Sequence, residues 1–222
     1  MMVALGRATR AASANGIALP MEPATPLIRR VPARMQAASA PAPDPETLEQ
    51  VASLLINAEN PLIVASQAGR KLDVMAPLGA LAEKYAIPVI QYRNRFVSLA
   101  SDHPMNLGFE PKPLLGEADV ILVLDSVVPW MPHQHKLKED AVVINMAPDP
   151  LYRQIPIRGH QSDIALTASV GMGLSLLAQA MSGPAKAKQA VIDARRRKIV
   201  AANAAMLDDR RRLLDEKKNA TP

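Results

Sequence analysis

VILVLDS, residues 120–126, is the stretch that decides the fold of this 222-residue chain. Its first five residues are all aliphatic. An uninterrupted run of this kind is typical of a strand buried on both faces, as in a parallel sheet, and not of a strand with one face in water. Asp125 and Ser126 come directly after the run, where a parallel sheet places ligand-binding residues. The stretch therefore predicts an interior strand of an α/β domain.

Four further segments of the chain have the length and composition of strands. They are PLIVAS (61–66), PVIQY (88–92), AVVINMA (141–147) and DIALTAS (163–169). Apolar residues at helical spacing predict helices over 74–86, 113–118 and 170–181. Strands that alternate with helices are joined by right-handed crossovers. We therefore predict a Rossmann-like, doubly wound and mostly parallel sheet of five to six strands.

A helix should begin at Asp44, and this residue sets the first domain boundary. Asp44 is a good N-cap, Pro45 suits the first helical position, and Glu46 complements the positive end of the helix dipole. Residues 1–43 are rich in Pro, Ala and Arg without a persistent period, which predicts an irregular arm or the remnant of a preceding domain. Their scarcity of acids also resembles a transit peptide, although a linker is the simpler interpretation.

The second boundary lies near residue 184. Residues 44–184 form the predicted central, nucleotide-binding-like domain, and 185–222 predict a basic linker helix with weak apolar faces. Residues 1–43 hold five Arg and one Glu, and 186–222 hold eleven Lys or Arg against five Asp or Glu. Since the formal net charge of the whole chain is only +5, the folded middle is mildly acidic. We interpret the last helix as a solvated segment lacking its packing partner, in preference to a binding tail.

The composition argues against several classes of function. The chain has no cysteine, which rules out disulfides, thiolate metal sites and a cysteine nucleophile within it, and is compatible with a cytoplasmic location. It has no run of eighteen apolar residues, so we predict no membrane span. Aromatic residues make up only 3%, and the positive charge lies at the ends. A nucleic-acid-binding face with interleaved aromatic residues is therefore not indicated.

Candidate binding residues follow the predicted strands. Gly69 and Arg70 come after the first strand, Asp125 and Ser126 after the third, and Asp149 after the fourth. Arg70 would suit a phosphate and Asp125 would suit ribose hydroxyls, which together predict an ADP- or FAD-like ligand. The first turn has a single glycine and lacks the GxGxxG fingerprint. Two alternatives stay open: a plain turn with Gly69 in a left-handed position, and an Asp125 that caps neighbouring backbone N–H groups.

Histidines raise the question of a metal or catalytic site, and we predict neither. His133 and His135 could share a metal only in an extended segment, and no third ligand is evident nearby, so a solvent loop is the better interpretation. Asp102 could orient His103 as a dyad, but no nucleophile lies in a recognisable elbow. We therefore assign no catalytic and no metal-binding residue to this chain.

Several segments together resemble one enzyme family. These segments are PDPETLEQVASLLINAENPLIVAS, AEKYAIPVIQY, SDHPMNLGF, EADVILVLDSVVPW and DAVVINMAPDP. In order and spacing they are similar to the central domain of thiamine-diphosphate-dependent enzymes, and most of all to the acetolactate-synthase-like group. The resemblance covers roughly residues 43–182, and no single segment is specific by itself.

The resemblance implies a division of labour with other domains. In the family, a pyrimidine-binding domain supplies a catalytic Glu, and a pyrophosphate-binding domain supplies a GDG…NN motif that holds Mg²⁺ and the diphosphate. This chain contains neither GDG nor NN, so the resemblance implies a domain that does not bind thiamine diphosphate or Mg²⁺ alone. The other domains would be supplied in cis or in trans. Family members are typically homodimers or tetramers.

The resemblance also implies roles for segments of the chain. SDHPMNLG (101–108) resembles the family's loop after the second strand, in which Pro104 and Gly108 would shape the rim of the cofactor-side cleft and His103 would be structural. Some relatives bind FAD or ADP in this cleft. The Arg- and Asp-rich turn of FAD-binding members is replaced here by DSVVPW (125–130), which argues against FAD.

Three hypotheses follow for the function. The first is the central, non-catalytic domain of a thiamine-diphosphate- and Mg²⁺-dependent lyase or transferase that acts on 2-oxo acids, inactive alone. The second is a stand-alone ADP- or FAD-binding module. The third is a folded but functionless product of a truncated gene, which the basic ends favour over the second.

Overall fold

The computed structural model describes residues 39–156 and 159–219, so most of the predicted arm over 1–43 lies outside the described residues. The α-helices are α1 (Pro45–Asn57), α2 (Met75–Tyr85), α3 (Lys112–Leu115), α4 (Val170–Ser182) and α5 (Gln189–Asn219). The strands are β1 (Pro61–Ala65), β2 (Val89–Ile90), β3 (Val120–Leu124), β4 (Val142–Ala147) and β5 (Ile164–Thr167). Within the described part of the chain, no helix has the length and apolar character needed to cross a membrane.

The strands form one parallel sheet in the order β2–β1–β3–β4–β5. β3 lies at its centre and pairs with β1 on one side and with β4 on the other. Every residue of β3 is buried, as its uninterrupted apolar run predicts. The prediction of a parallel α/β fold is confirmed, and the five strands seen in the described residues match the smaller of the two numbers predicted.

The two faces of the sheet are covered unequally. α1, α2 and α4 pack on one face, over a core that includes Leu122 and Ile144. The short α3 and the segment around Trp130 cover the other face, over a smaller core that includes Ile121 and Val143. Neighbouring strand residues thus alternate between two apolar cores, as the pleat of a strand requires. This double burial explains why the strands contain almost no polar residues.

α1 begins at the residue that the sequence predicts. The Asp44 carboxylate accepts hydrogen bonds from the Thr47 backbone N–H at 2.8 Å and from the Thr47 hydroxyl at 2.7 Å, and Pro45 is the first helical residue. These bonds, the backbone bond first, hold the pKa of Asp44 below its ordinary value. The cap satisfies one of the N–H groups that the first turn of a helix leaves free.

β2 is shorter than the predicted strand over 88–92. The backbone N–H of Val89 donates to the Met105 carbonyl, and that of Gln91 donates to the Gly108 carbonyl, both at 2.8 Å. The segment from Met105 to Gly108 therefore runs beside β2 and forms a parallel bridge with it. It covers the edge of the sheet, which would otherwise present unpaired backbone groups.

α5 differs from the solvated linker helix that its sequence predicts. Ile192 and Ile199 belong to the core on the α1 side, and Arg195 and Asn203 are buried on the same helix. Residues 211–218 are all exposed, so the solvated interpretation holds only for the end of the helix. The sequence hides the packed half because two polar residues interrupt its apolar face.

Two consecutive arginines of α5 hold the ends of two earlier helices. Arg195 Nη1 donates to the carbonyls of Leu55 and Ala58 at the end of α1, at 3.3 and 3.5 Å. Arg196 donates to two carbonyls at the end of α2. A helix leaves its last carbonyls without partners and carries partial negative charge there, so both cations complement the helix ends.

Candidate functional site

The strand order creates a switch point at the carboxyl ends of β1 and β3. The chain continues from β1 to β2 on one side of the sheet and from β3 to β4 on the other. The loops after β1 and β3 therefore diverge and leave a crevice, which is where open α/β sheets bind ligands. Gly69 and Arg70 lie in the first of these loops, and Asp125 and Ser126 lie in the second, as the sequence predicts.

An ion pair joins the two loops across the switch point. Arg70 Nη2 lies 2.9 Å from Asp125 Oδ2, and the Tyr152 hydroxyl donates to Asp125 Oδ1 at 3.1 Å. The Asp125 side chain is 10% exposed and that of Arg70 is 51% exposed, so the guanidinium is the group that a ligand would meet. Sequence reasoning missed Tyr152, because nothing in the sequence shows how the loop after β4 folds back over the crevice.

Asp125 lies in the left-handed region of the backbone map. Its φ is 43°, a conformation that is uncommon for residues with a side chain but is tolerated best by Asn and Asp. Its N–H donates to the Met146 carbonyl, and its carbonyl accepts from the Gln67 N–H, both at 3.0 Å. These bonds tie the turn to β4 and to the loop after β1. Ser126 is almost fully buried beside it and therefore does not present its hydroxyl to solvent.

Gly69 is required by close packing, and the left-handed alternative is wrong. Among the described glycines, Gly108 is the one with a positive φ. A Cβ placed on Gly69 would lie 2.0 Å from the carbonyl oxygen of Val97, because the loop after β2 passes directly over the turn. The Gly69 N–H donates to the Ser98 hydroxyl at 3.0 Å. This amide is therefore used within the fold, which leaves Arg70 as the residue of the turn that could contact a phosphate.

Asp149 acts on the crevice through Tyr152. Its Oδ2 accepts from the Arg153 backbone N–H at 3.1 Å, and its Oδ1 lies 3.5 Å from Arg153 Nε. Its carbonyl accepts from the Tyr152 N–H at 3.2 Å. Asp149 thus shapes the turn from which the Tyr152 hydroxyl reaches Asp125. The prediction that Asp149 contacts a ligand directly stays a prediction.

One buried amide fixes the loop after β2, and sequence reasoning missed it. Gln91 Oε1 accepts from the backbone N–H groups of Ser98 and Leu99 at 2.8 and 3.2 Å, and its Nε2 donates to the Leu99 carbonyl at 3.0 Å. The same loop supplies the Ser98 hydroxyl to Gly69. The sequence signal for this role was Gln91 itself, a polar residue within the predicted strand PVIQY. A buried amide needs partners for its donors and acceptors, so a glutamine at this position indicates hydrogen bonds to a neighbouring segment.

SDHPMNLG (101–108) lies along the β2 edge of the sheet. The role at the rim of the cofactor-side cleft that the resemblance implies for Pro104 and Gly108 stays a prediction. Asn106 Nδ2 donates to the Ala100 carbonyl, and Asn106 Oδ1 accepts from the Gly108 N–H, so the segment is braced by its own side chain. A Cβ on Gly108 would meet side-chain atoms of α5 at 3.1 and 3.2 Å. Gly108 therefore shapes the contact with α5.

The histidines have structural partners. His103 Nε2 lies 3.9 Å from a Glu83 carboxylate oxygen, and its Nδ1 accepts a backbone N–H, which agrees with the structural role expected of it. His135 is buried, with Nε2 3.1 Å from Glu110 Oε1, and His133 is exposed. The solvent-loop interpretation is thus right for His133 and wrong for His135. Over residues 39–156 and 159–219, no cluster of three or more His, Cys, Asp or Glu could hold a metal ion.

The crevice is narrow. The space beside Arg70 and Asp125 has a volume of about 20 Å³, which is room for about one water molecule. Small-molecule sites usually measure roughly 300–1,000 Å³. This space is too small to enclose a nucleotide. The described residues do not fit a Mg²⁺-bound diphosphate, since they combine this small volume with no metal-binding cluster.

Comparison with known proteins shows which family has a sequence like that of this domain. Residues 48–177 match the family model described as thiamine pyrophosphate enzyme, central domain. The matched range begins in α1, ends in α4 and includes every strand of the sheet. A comparison with the curated proteins finds no match.

Two solved structures share the fold. A protein from Mycobacterium smegmatis, described as a thiamin diphosphate-dependent enzyme, has a TM-score of 0.58 and 22% identity, over 68% of this chain and 30% of its own. Benzoylformate decarboxylase from Polynucleobacter necessarius has a TM-score of 0.57 and 19% identity, over 70% of this chain and 30% of its own. At these identities the likeness concerns the fold alone. This chain spans about 30% of the length of either structure.

Proposed function

Because this chain belongs to the family of thiamine pyrophosphate enzyme central domains, we propose that it is the non-catalytic central domain of a thiamine-diphosphate- and Mg²⁺-dependent enzyme. In this proposal the enzyme acts on 2-oxo acids and is similar to the acetolactate-synthase-like group. The observation that carries the proposal is the family match over residues 48–177. The role proposed for the chain is structural, and the chain alone is inactive.

The chemistry of the described residues supports a division of labour. The described part of the chain offers neither a metal-binding cluster nor a cavity of cofactor size at the switch point. Thiamine diphosphate supplies, when bound in such an enzyme, an electron sink for bond changes next to a carbonyl. We propose that the catalytic Glu, the Mg²⁺ ligands and the diphosphate contacts come from pyrimidine-binding and pyrophosphate-binding domains, in cis or in trans, within a homodimer or tetramer.

An apolar fringe at the carboxyl edge of the sheet supports docking of other domains. The fringe consists of Phe96 and Val97, in the loop after β2, and of Leu151 and Ile155, in the loop after β4. These side chains are between 37% and 55% exposed. The chain has only two Phe, and one of them lies in this fringe. Large apolar side chains grouped at one edge are typical of surfaces that a partner covers.

The experiment that tests this proposal combines sequencing of the locus with assembly. We expect reading frames for a pyrimidine-binding domain and for a GDG-containing domain beside this one, and we expect their products to co-purify with a tagged copy of this chain. The assembly should turn over pyruvate with thiamine diphosphate and Mg²⁺, and the chain alone should not. Turnover by the purified chain alone, or failure of both products to bind it, would contradict the proposal.

A stand-alone ADP- or FAD-binding module is the second candidate, favoured by the half-exposed Arg70 at the switch point. In this case a ligand phosphate displaces Asp125 from the guanidinium. Calorimetric titration with ADP and with FAD should then show saturable heat, weakened at least about tenfold in Arg70→Met, because the loss of one charge-assisted contact costs on the order of 1.5–3 kcal/mol. No heat and no shift in melting temperature would exclude this candidate.

A further inference from the structure

α5 and the amino ends of β1 and β2 line a second, open cavity, on the opposite edge of the sheet from the switch-point crevice. Its volume is about 320 Å³, more than ten times that of the crevice. This volume falls within the range of small-ligand sites. Most of its wall is apolar, and the apolar side chains come from Pro61, Leu62, Pro88, Leu107, Leu114 and Ile199.

One buried cation lines this apolar cavity. Arg195 is only 8% exposed, which is rare for an arginine. Its Nε and Nη2 atoms are buried and have no hydrogen-bond partner among the described residues. The bonds of its Nη1 to the end of α1, at 3.3 and 3.5 Å, lie at the long limit for hydrogen bonds. Burial lowers the pKa of the Arg195 guanidinium, the nearby Asp119 carboxylate opposes this shift, and the group stays charged.

The two unpaired nitrogens of Arg195 form one edge of its guanidinium group. Nε and Nη2 lie on the same side of the planar guanidinium, the side that binds a carboxylate through two parallel hydrogen bonds. Leaving charged donors buried and unpaired is costly. Asp119 is committed elsewhere, because its two carboxylate oxygens accept the backbone N–H groups of Glu59 and Asn60 at 2.6 and 3.0 Å. The edge of Arg195 therefore has no hydrogen-bond acceptor among the described residues.

We propose that this cavity binds a small monocarboxylic acid with an apolar body, whose carboxylate accepts hydrogen bonds from Nε and Nη2 of Arg195 while its apolar part lies against the cavity walls. Both nitrogens are closed to solvent, so binding requires a small rotation of the guanidinium, which the long Nη1 bonds permit. Glu59, Glu117 and Lys198 also line the cavity, and Lys198 Nζ lies 3.3 Å from Glu117 Oε2. Arg195 thus remains the cation with an unpaired edge, and the Glu59 carboxylate disfavours a second anionic group, so a dicarboxylate or a phosphate binds less well.

The test uses the full chain and three ligands with the same apolar body. Octanoate, octanol and octylamine differ only in the head group, and isothermal titration calorimetry measures each. We expect octanoate to saturate a single site at least tenfold more tightly than octanol, and octylamine to show no saturable binding. Equal affinities of octanoate and octanol, or the absence of saturable octanoate binding, would overturn the proposal.

Two variants separate the roles of charge and space. Arg195→Met should remove the advantage of octanoate over octanol. Ala194→Trp should weaken octanoate at least tenfold without changing the melting temperature, because Ala194 is an exposed residue of the cavity wall. Ala204→Trp is the matched control, since Ala204 is exposed on the same helix and does not line the cavity. If Arg195→Met does not fold, Ala194→Trp decides, and unchanged octanoate binding in that variant overturns the proposal.

Discussion

At Gly69, a single missing side chain lets the loop after β2 pass over the turn after β1. The Val97 carbonyl oxygen lies 2.0 Å from the place of a Cβ, and this oxygen belongs to the backbone, so it cannot move away as the end of a flexible side chain could. We expect Gly69→Ala to lower the free energy of unfolding by about 1–3 kcal/mol, because the loop must shift. Gly183→Ala is the matched control, with nothing within 4 Å of its Cβ, and should change little. Urea denaturation measures both, and equal effects would contradict the packing argument.

Asp44 makes the stability of α1 depend on pH. Its hydrogen bonds to Thr47 hold its pKa below the ordinary value, so the folded chain binds this proton less tightly than the unfolded chain. Its stabilisation is therefore complete above about pH 5 and is lost as the pH falls from about 4 through the folded-state pKa. We expect Asp44→Ala to melt at a lower temperature near neutral pH and Asp44→Asn to retain the cap.

Thermal unfolding at about pH 7 and about pH 3 measures this linkage. At about pH 7 the melting temperature of wild type should equal or exceed that of Asp44→Asn. At about pH 3 the melting temperature of wild type should fall relative to that of Asp44→Asn, because the Asp44 carboxylate is then protonated. A difference that stays constant over this range would show that the Asp44 carboxylate is not the source of the pH dependence.

At the scale of elements, the sequence predicts the structure well where apolar periodicity is unbroken. The centre of the sheet and α1 lie within a few residues of their predicted bounds, because their double burial or clear cap is visible in the composition alone. β2 and α5 differ, and both differ at buried polar residues. Gln91 ends the apolar run of β2, and Arg195 and Asn203 interrupt the packed face of α5. A search for hydrophobic spacing treats such residues as solvent-facing, although here they bind backbone groups.

Some residues of the candidate site could be predicted from the sequence, and others could not. Parallel topology places residues after β1 and after β3 at one edge, so Arg70 and Asp125 could be paired from the sequence. Tyr152 and Ser98 could not, because each reaches the crevice through the path of a long loop. That path is set by tertiary hydrogen bonds such as those of Gln91, which have no local sequence pattern.

Asn203 joins α5 to the segment that covers the edge of β2. Its Nδ2 donates to the Asn106 carbonyl at 2.7 Å and to the His103 carbonyl at 3.4 Å. We expect Asn203→Ala to lower the free energy of unfolding by about 1–3 kcal/mol, because a buried carbonyl loses its partner. Hydrogen exchange of α5 amides should accelerate more than exchange in β3. Leu213→Ala, at a residue 57% exposed, is the control, and an equal acceleration there would contradict this role.

For the molecule as a whole, we expect the apolar fringe to contact partner domains and the exposed end of α5 to stay in solvent. The fringe lies at the carboxyl edge of the sheet, where the family's other domains would meet this one under the proposed function. Leu213 and Leu214 also are exposed, at 57% and 59%, but they lie on a solvated helix end among charged residues. Exposure alone therefore does not distinguish the two surfaces, whereas a comparison of matched substitutions does.

We expect the double substitution Phe96→Ser and Leu151→Ser to leave the melting temperature of the chain nearly unchanged, because both side chains are about half exposed, at 42% and 50%. The same variant should lose at least about tenfold in affinity for the pyrimidine- and pyrophosphate-binding domains, since removing two apolar anchors from an interface costs on the order of 2 kcal/mol or more. Leu213→Ser with Leu214→Ser is the matched control and should bind as wild type does. Biolayer interferometry with the co-expressed domains measures all three chains. Equal binding by wild type and the fringe variant would show that the partner domains dock elsewhere, since a covered apolar surface must weaken binding when it is made polar.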